Sequence, residues 1–342
     1  MFEALARAPE IYQPSKFWKE LNDVHVRQLE EAGFEQFKRT INLRYFNWKI
    51  LGILRHQALA VFLQWARKPA FSVFGAGLAP STNGAAKARK VFNPLAAQVY
   101  ATYVAMLAEV VSRQDPLNLL STLEEPALGN PLDVVCRGRR ISQDLCNSIH
   151  EFYSIVGRDG HLEDQKGRRL AFAELGAGYG RLAPVFLSSL PQASYCIIDI
   201  PPVLYVSQEY LTRLYSRERI FKFREFKAYR DVQAEFEGAA LRFLMPHQME
   251  ILPDGVFDTM INISSLHEMT LAQVRNFLNL EDRLCRGRVY LKQWKVSSAK
   301  VNGQVIRQAD YPIPGRWQSI YQEAHPIQRL FFHALYQVGE GR

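Results

Sequence analysis

The sequence predicts an α/β protein in which a doubly wound parallel sheet follows an N-terminal all-helical domain. From residue 169 onward, short apolar runs alternate with stretches of helical periodicity, which is typical of a parallel sheet with helices on both faces. In the first ~165 residues, apolar and aromatic residues instead recur at three- and four-residue spacing. We therefore expect a helical domain over residues 1–165 and the sheet domain over residues 166–342.

The composition is that of a globular protein. Of 342 residues, 48% are apolar and 22% are charged, so a packed core can form without disulfides or a structural metal. The four cysteines are scattered and form no CxxC pair, which favours reduced, buried thiols. The net charge of +8 is spread over short basic clusters. We interpret it as a solvated basic surface and expect no nucleic-acid partner.

We expect neither a signal peptide nor a membrane span. The first seven residues carry an early acidic residue and no long apolar stretch. No run approaches the roughly 18 to 20 uninterrupted apolar residues of a membrane-spanning helix. A cytoplasmic location is therefore the expectation. The sequence leaves the oligomeric state open, with a homodimer as one candidate.

Within the N-terminal region, apolar periodicity predicts helical structure over 16–64 and helices over 96–112 and 142–156. Ser142 is the expected N-cap of the last of these. In the C-terminal region, the strands are predicted at 171–175, 194–200, 241–245, 257–263 and 288–294, with helices at 182–190, 203–215 and 270–283. Ligands of such sheets lie at the carboxyl ends of the strands, where the strand order reverses.

A glycine-rich loop, Gly176-Ala177-Gly178-Tyr179-Gly180-Arg181, follows the first of these strands. Glycine allows backbone torsions that other residues resist, and it lets a ligand approach the main chain closely. Arg181 stands where the dinucleotide-binding pattern GxGxxG has its third glycine, which argues against NAD or FAD here. Asp199 ends the next strand, where a carboxylate can accept hydrogen bonds from ribose hydroxyls. The alternative is a tight turn that binds nothing.

The run from Phe172 to Arg181 resembles the first motif of class I S-adenosylmethionine-dependent methyltransferases. Ile198-Asp199-Ile200-Pro201-Pro202-Val203 resembles the ribose-binding segment of small-molecule O-methyltransferases. The resemblance implies a Rossmann-like sheet that binds S-adenosylmethionine. It places Gly176 and Gly178 near the methionine part and Asp199 at the ribose. The implied cofactor site consists of Glu174, Gly176, Ala177, Gly178, Arg181, Asp199, Ile200, Gln248, Met249, Asn262 and Ser264.

Two of these residues, Gln248 and Met249, would flank the adenine after the third strand. Their sequence departs from the more usual Asp-hydrophobic pair of the family. Over most of its length, from Phe17 through 129–131, Arg139, Ser142, Ser148 and Glu151 to 261–269, the chain is similar to the bacterial sugar O-methyltransferases. That resemblance implies methylation of a hydroxyl on a sugar or glycoconjugate. A methyltransferase of another small molecule and a non-catalytic methyltransferase-like binding protein are the alternatives, and an NAD-dependent oxidoreductase is disfavoured by Arg181.

An alcohol is a poor nucleophile, so methyl transfer to it calls for a positioned base. His267 follows the fourth strand, and Glu268 beside it could orient the ring or take the proton itself. His325, near the C-terminus, is the second candidate. The alternatives are that His267 packs against the helix starting at Thr270 and that His325 is a turn residue ahead of Pro326.

The acceptor region holds three further candidates. Arg137 and Arg139 could bind an anionic group of the substrate or form a basic surface turn. The aromatic run Tyr45-Phe46-Asn47-Trp48 could stack on a sugar face, although core packing explains it as well. No Asp-Asp pair ends a strand, and Glu281-Asp282 lies inside a predicted helix, so we predict no metal.

Overall fold

The computed structural model describes residues 1–40, 57–79, 93–157, 167–298 and 303–339, apart from the side chains of Lys16 and Phe17. The chain divides into two compact units. The sheet unit comprises Met1–Val24, Leu162–His325 and Leu330–Arg342, and the helical unit comprises His25–His161 and Pro326–Arg329. The first 24 residues therefore group with the sheet, although their helical periodicity places them in the N-terminal domain by sequence.

The helices and strands are numbered here in chain order. The helices are α1 (Phe2–Arg7), α2 (Lys16–Ala32), α3 (Leu59–Trp65), α4 (Pro94–Ser112), α5 (Leu119–Thr122), α6 (Gln143–Val156), α7 (Ala183–Ser189), α8 (Val203–Leu214), α9 (Gln233–Gly238) and α10 (Leu271–Leu284). The strands are β1 (Gly77–Leu78), β2 (Val134–Cys136), β3 (Arg139–Ile141), β4 (Ala171–Leu175), β5 (Ser194–Ile198), β6 (Ile220–Phe221), β7 (Leu241–Leu244), β8 (Phe257–Ile263), β9 (Cys285–Trp294), β10 (Trp317–Ala324) and β11 (Phe331–Val338).

The helical unit contains a small antiparallel sheet in the order β1-β2-β3, so the expectation of an all-helical domain was wrong in this detail. A two-residue turn joins β2 to β3, with Cys136 opposite Arg139. Both turn residues, Arg137 and Gly138, have positive φ angles of 51° and 78°. Turns of this kind match the twist of a hairpin, and an Arg-Gly pair is a weak sequence signal for one.

The predicted helices of this unit are confirmed where the structure describes them. In α4 the side chain of Asn93 caps the helix by accepting from the backbone N–H of Ala96, and in α6 Ser142 does the same for Leu145. α4 is long and apolar enough to cross a membrane by length and composition alone. Its buried face includes Val104 and Leu107, as in the core helix of a globular unit.

The sheet unit is built on eight strands in the order β10-β11-β9-β8-β4-β5-β7-β6. Strands β6, β7, β5, β4, β8 and β9 run parallel, and β11 and β10 are antiparallel to their neighbours. The chain leaves β4 toward β5 and β7 and later returns to β8 on the other side of β4. The carboxyl ends of β4 and β8 therefore form the topological switch point, which is where such sheets bind ligands. The doubly wound sheet predicted from sequence is confirmed.

The core of the sheet unit includes a residue from the N-terminal segment. Tyr12 is buried and packs edge-on against Phe277 of α10, with 5.8 Å between the ring centroids. Its hydroxyl donates to Glu250, and burial raises the pKa of this hydroxyl to about 12. Gln273 of α10 donates to the carbonyls of Ile11 and Gln13 at 3.1 and 2.9 Å. These contacts explain why the first residues belong to the sheet unit.

Candidate active site

The glycine loop after β4 takes a conformation that requires glycine. Gly176, Gly178 and Gly180 have φ angles of 73°, 60° and 77°, in a region that residues with a Cβ atom adopt only with strain. The backbone N–H of Gly176 donates to the carbonyl of Ile198 at 2.8 Å. The loop is therefore tied to the end of β5 from its first residue.

The three glycines differ in what surrounds them. A Cβ atom on Gly176 would lie 2.2 Å from Oγ of Ser265, and one on Gly180 would lie 2.8 Å from Cδ1 of Leu211. A Cβ atom on Gly178 would meet no other atom within 4 Å among the residues that the structure describes. Gly176 and Gly180 thus allow close packing of the protein against itself. Gly178 exposes its backbone to open space, as a ligand-contacting glycine must.

Asp199 joins the loop to the end of β5. Its Oδ2 accepts from the backbone N–H of Gly178 at 2.8 Å, and its Oδ1 accepts from the backbone N–H of Ile200 at 2.7 Å. Burial raises the pKa of this carboxyl to about 7, against the opposing effect of the two N–H donors. Each carboxylate oxygen has a second lone pair, so Asp199 can still accept from a pair of ribose hydroxyls.

The other predicted residues of this strand end are placed as follows. Glu174 is buried and accepts a hydrogen bond of 2.7 Å from the hydroxyl of Tyr195. Ala177 is buried in the loop, whereas Arg181 and Ile200 are partly exposed. A cofactor contact of these four residues stays a prediction, and the described contact of Glu174 is structural.

The turn after β7 holds the two residues predicted to flank adenine. Gln248 accepts from the backbone N–H of Met245 at 2.9 Å and donates to the carbonyl of Arg224 at 2.8 Å. Met249 is fully buried among the apolar residues of the core. Both side chains therefore lie in the protein interior and hold the turn together. Contact with adenine stays a prediction for this segment, in which His247 is partly exposed.

At the carboxyl end of β8, Asn262 belongs to a buried polar network. Its Oδ1 accepts from Nε2 of Gln293 at 2.7 Å, and its Nδ2 donates to Oε1 of Glu281 at 3.5 Å. The sequence interpretation named Asn262 but missed Gln293 and Glu281 as its partners. Ser264 follows with a positive φ of 61°, and its N–H donates to the carbonyl of Lys292 at 2.8 Å.

His267 lies beside this network and is almost completely buried. Its ring stacks on Trp294, with 4.5 Å between the centroids and 13° between the planes. Burial lowers the pKa of the imidazole to about 4, and the contact with Gln293 opposes this shift. Nε2 lies 3.9 Å from Oε1 of Glu268, whose Oε2 accepts from Nε1 of Trp18 at 3.1 Å. The imidazole of His267 and the carboxylate of Glu268 are thus neighbours, and their role in catalysis stays a prediction.

His325 lies in a different polar cluster, on the antiparallel side of the sheet. Its ring is 4.9 Å from that of His333, whose Nδ1 is 3.2 Å from the Tyr290 hydroxyl. Nε2 of His333 lies 3.2 Å from a carboxylate oxygen of Glu323. The described ring contact of His325 is therefore with His333 rather than with His267, and its role as a base stays a prediction.

Arg137 and Arg139 belong to the hairpin of the helical unit. Arg137 donates to Oγ of Ser72 and lies 3.2 Å from a carboxylate oxygen of Glu109. Arg139 donates to the carbonyl of Leu123 at 3.2 Å and lies 3.8 Å from Glu124. Both guanidinium groups are thus paired on a surface turn, and substrate binding by them stays a prediction.

Two further expectations concern the aromatic run and metals. The run 45–48 lies outside the described residues. Within the described part of the chain, no group of three or more His, Cys, Asp or Glu side chains is arranged to hold a metal ion. The polar atoms near His267 come instead from amides, a carboxylate and an indole.

The chain is only distantly similar to known proteins. No protein-family model and no curated protein matches it. Among solved structures it is similar to the mitomycin 7-O-methyltransferase MmcR, with 14% identity, 49% of either chain covered and a TM-score of 0.34. It is also similar to the pyocyanin biosynthetic protein PhzM, with 15% identity, 50% of this chain and 51% of that chain covered, and a TM-score of 0.33. The chain spans about half the length of these two proteins.

A third solved structure, an S-adenosylmethionine-dependent methyltransferase from Aquifex aeolicus, shares 11% identity. The match covers 54% of this chain and 92% of that chain, with a TM-score of 0.33. Similarity at this level transfers neither an activity nor a substrate. The fold class follows from the strand order instead, which is that of a Rossmann-like, doubly wound sheet.

Proposed function

We propose that the protein is an S-adenosylmethionine-dependent O-methyltransferase that acts on a hydroxyl of a small molecule, with a sugar or glycoconjugate as the acceptor class. The observation that carries this proposal is the bridge from Asp199 to Gly178 at the switch point of the sheet. This hydrogen bond holds the Asp199 carboxylate, which has further lone pairs to accept with, beside Gly178. No other described atom lies within 4 Å of where a Cβ atom of Gly178 would be. That pairing suits a ligand with a ribose and an amino-acid part. We also propose that the protein is cytoplasmic and forms a homodimer.

The residues at the end of β8 suit proton removal from the acceptor. S-adenosylmethionine, held by the glycine loop and Asp199, would supply the methyl group, and the bond from this group to sulfur would break as its bond to the acceptor oxygen forms. The hydroxyl proton must pass to a base in the same step. Burial lowers the pKa of His267 to about 4, so its imidazole is neutral at pH 7 and has a lone pair for that proton, but it is a weaker base than an exposed histidine. The carboxylate of Glu268, 3.9 Å from Nε2, stabilises the imidazolium that results.

Calorimetry with S-adenosylhomocysteine and NADH tests the cofactor. We expect the first to bind and the second not to, since Arg181 stands at the third-glycine position of the dinucleotide pattern. Asp199→Ala is expected to weaken S-adenosylhomocysteine binding by roughly 1 to 3 kcal/mol, the scale of hydrogen bonds to a charged group. Because only the ionised carboxylate accepts from both hydroxyls, wild-type affinity should rise as the pH passes upward through about 7.

The matched control for that experiment is Asp254→Ala, since the Asp254 carboxylate is largely exposed and pairs with Arg283 at the surface. It should bind S-adenosylhomocysteine as the wild type does. Absence of S-adenosylhomocysteine binding to the wild type, or clear binding of NADH, would contradict the proposal. Equal affinity of Asp199→Ala and the wild type for S-adenosylhomocysteine would show that Asp199 does not bind the ribose.

His267→Ala distinguishes an enzyme from a binding protein of the same fold. We expect turnover to fall by roughly 10²- to 10⁴-fold, the usual contribution of a general base. Binding of S-adenosylhomocysteine should persist, because Asp199 is held by hydrogen bonds from Gly178 and Ile200 that do not involve the His267 ring. The measurement is methyl transfer from labelled cofactor to a panel of sugars and small hydroxylated compounds. Unchanged turnover in the variant would exclude His267 as the base.

A further inference from the structure

The side-chain amide of Gln293 is held between two backbone groups whose hydrogen-bonding roles cannot change. Its Nε2 lies 3.1 Å from the carbonyl oxygen of Asn262, which can only accept. Its Oε1 lies 3.3 Å from the backbone N–H of His267, which can only donate. Reversing the amide would set donor against donor and acceptor against acceptor. The orientation of Gln293 is therefore fixed by the main chain.

This orientation has a consequence for the ring of His267. Oε1 of Gln293 also lies 3.0 Å from Nδ1 of the imidazole, and an amide oxygen can only accept. The proton of the neutral ring is then on Nδ1, and Nε2 carries the lone pair. Two contacts favour the opposite tautomer: the backbone N–H of Trp294 points at Nδ1 from 3.4 Å, and the Glu268 carboxylate lies 3.9 Å from Nε2. The contact to Gln293, at 3.0 Å, is the shortest and the strongest of the three.

The network continues away from the ring into the core. Oδ1 of Asn262 accepts from Gln293, so the amide group of Asn262 presents its Nδ2 to Glu281. All four side chains, those of Glu281, Asn262, Gln293 and His267, are at most 1% exposed. Water therefore does not compete for these hydrogen bonds. Gln293 fixes the orientation of the Asn262 amide, which in turn donates to Glu281.

We propose that Gln293, held by the main-chain carbonyl of Asn262 and the main-chain N–H of His267, is a positioning residue that selects the Nδ1–H tautomer of His267 and so makes Nε2 the basic atom. Nε2 is the ring nitrogen on the side of Glu268, 3.9 Å from its carboxylate. The catalytic meaning of this arrangement rests on the proposed function. The tautomer itself does not, since it follows from hydrogen bonds of the protein alone.

Nitrogen-15 NMR of the full-length, histidine-labelled protein reports the tautomer directly, because protonated and unprotonated ring nitrogens differ strongly in chemical shift. His267→Asn assigns the signal among the eight histidines. We expect the wild-type ring to be protonated on Nδ1 at pH 7. In Gln293→Met the preference should be lost or reversed in favour of the Trp294 contact. Glu281→Gln keeps an acceptor for Asn262, so it is the matched control and should leave the tautomer unchanged.

A wild-type ring protonated on Nε2 overturns the proposal, and this spectrum needs no variant to fold. Retention of the Nδ1–H form in folded Gln293→Met overturns it as well. Activity gives an independent readout: kcat of Gln293→Met should fall while its affinity for S-adenosylhomocysteine stays within about twofold of wild type, as for a group that acts on the chemical step alone. If S-adenosylhomocysteine fails to bind the wild type, the proposed function fails, whereas the tautomer assignment is still decided by the spectrum.

Discussion

Gly176→Ala is expected to lower the free energy of unfolding by roughly 2 to 5 kcal/mol. The new Cβ atom would lie 2.2 Å from Oγ and 2.3 Å from Cβ of Ser265, so the ends of β4 and β8 would have to move apart. Overpacking of this kind costs about 1 to 3 kcal/mol, and a left-handed backbone adds about 1 to 2 kcal/mol for a residue with a Cβ atom. Urea denaturation of the full chain measures the change.

Gly178→Ala is the matched control, because it has a similar φ of 60° but open space around the added atom. It should lower the free energy of unfolding only by the cost of the left-handed backbone, about 1 to 2 kcal/mol. Its methyl group would occupy the space proposed for the cofactor, so it should weaken S-adenosylhomocysteine binding more than it weakens folding. Equal stability losses in the two variants would show that the contact with Ser265 is not what makes Gly176 necessary.

Ser265→Gly combined with Gly176→Ala provides a double-mutant cycle for the same contact. Removing the Ser265 side chain takes away both close atoms, and the nearest remaining atom is its Cα at 3.8 Å. The combined variant should therefore recover the overpacking part of the loss and keep the backbone part. A coupling energy near zero would show that the stability loss in Gly176→Ala does not come from the contact with the Ser265 side chain.

The strands that bear the site could be predicted because their sequences are apolar runs bounded by turn residues. β4 and β8 have the predicted bounds, and β5 ends at Ile198 rather than at 200. The backbone N–H of Asp199 still donates to the carbonyl of Leu244 at 3.2 Å, but the N–H of Ile200 turns to Oδ1 of Asp199 at 2.7 Å rather than to a neighbouring strand. β10 and β11 were not predicted. β10 is largely exposed and polar, and its position against β11 depends on pairing that no local pattern encodes.

The partners of the site residues were the harder part to predict. Asp199 and the glycines follow from local chemistry at two strand ends. Gln293 and His267 are 26 residues apart, and they meet only because β8 and β9 are neighbours in register. Glu281 reaches Asn262 from a helix packed over the sheet. Sequence periodicity marks such residues as interior positions, but it does not say which polar groups face each other there.

Glu281→Gln is expected to make the protein more stable than wild type at pH 8 and to remove much of the pH dependence of its stability. Glu281 is fully buried, and Oε2 has no hydrogen-bond partner among the described residues. Burial raises the pKa of its carboxyl from 4.5 to about 8, although the hydrogen bond from Asn262 lowers it. Between those values the folded state binds a proton that the unfolded state has lost.

The sign of the effect follows from that difference in bound protons. Stability supplied by protonated Glu281 is complete below pH 4.5 and is lost as the pH rises through about 8. One pKa unit corresponds to about 1.4 kcal/mol, so the loss is on the order of 5 kcal/mol as an upper bound. Glutamine is uncharged at every pH and keeps an oxygen that accepts from Asn262. Urea denaturation at intervals from pH 5 to 8.5 should therefore show the wild-type and variant curves diverging as the pH rises.

Other titrating groups are common to both proteins and cancel in that difference. Asp199, with its pKa raised to about 7, destabilises both as the pH rises. His267, with its pKa lowered to about 4, destabilises both as the pH falls below its ordinary value. Cys285 faces Glu281, but burial raises the pKa of its thiol to about 12, so it stays protonated throughout.

The control variant is Glu209→Gln, because Glu209 is partly exposed and forms a helical ion pair with Arg213. It should change the free energy of unfolding by no more than about 0.5 kcal/mol at any of these pH values. Parallel curves for Glu281→Gln and wild type would mean that Glu281 is ionised in the folded protein, which requires a compensating donor at Oε2.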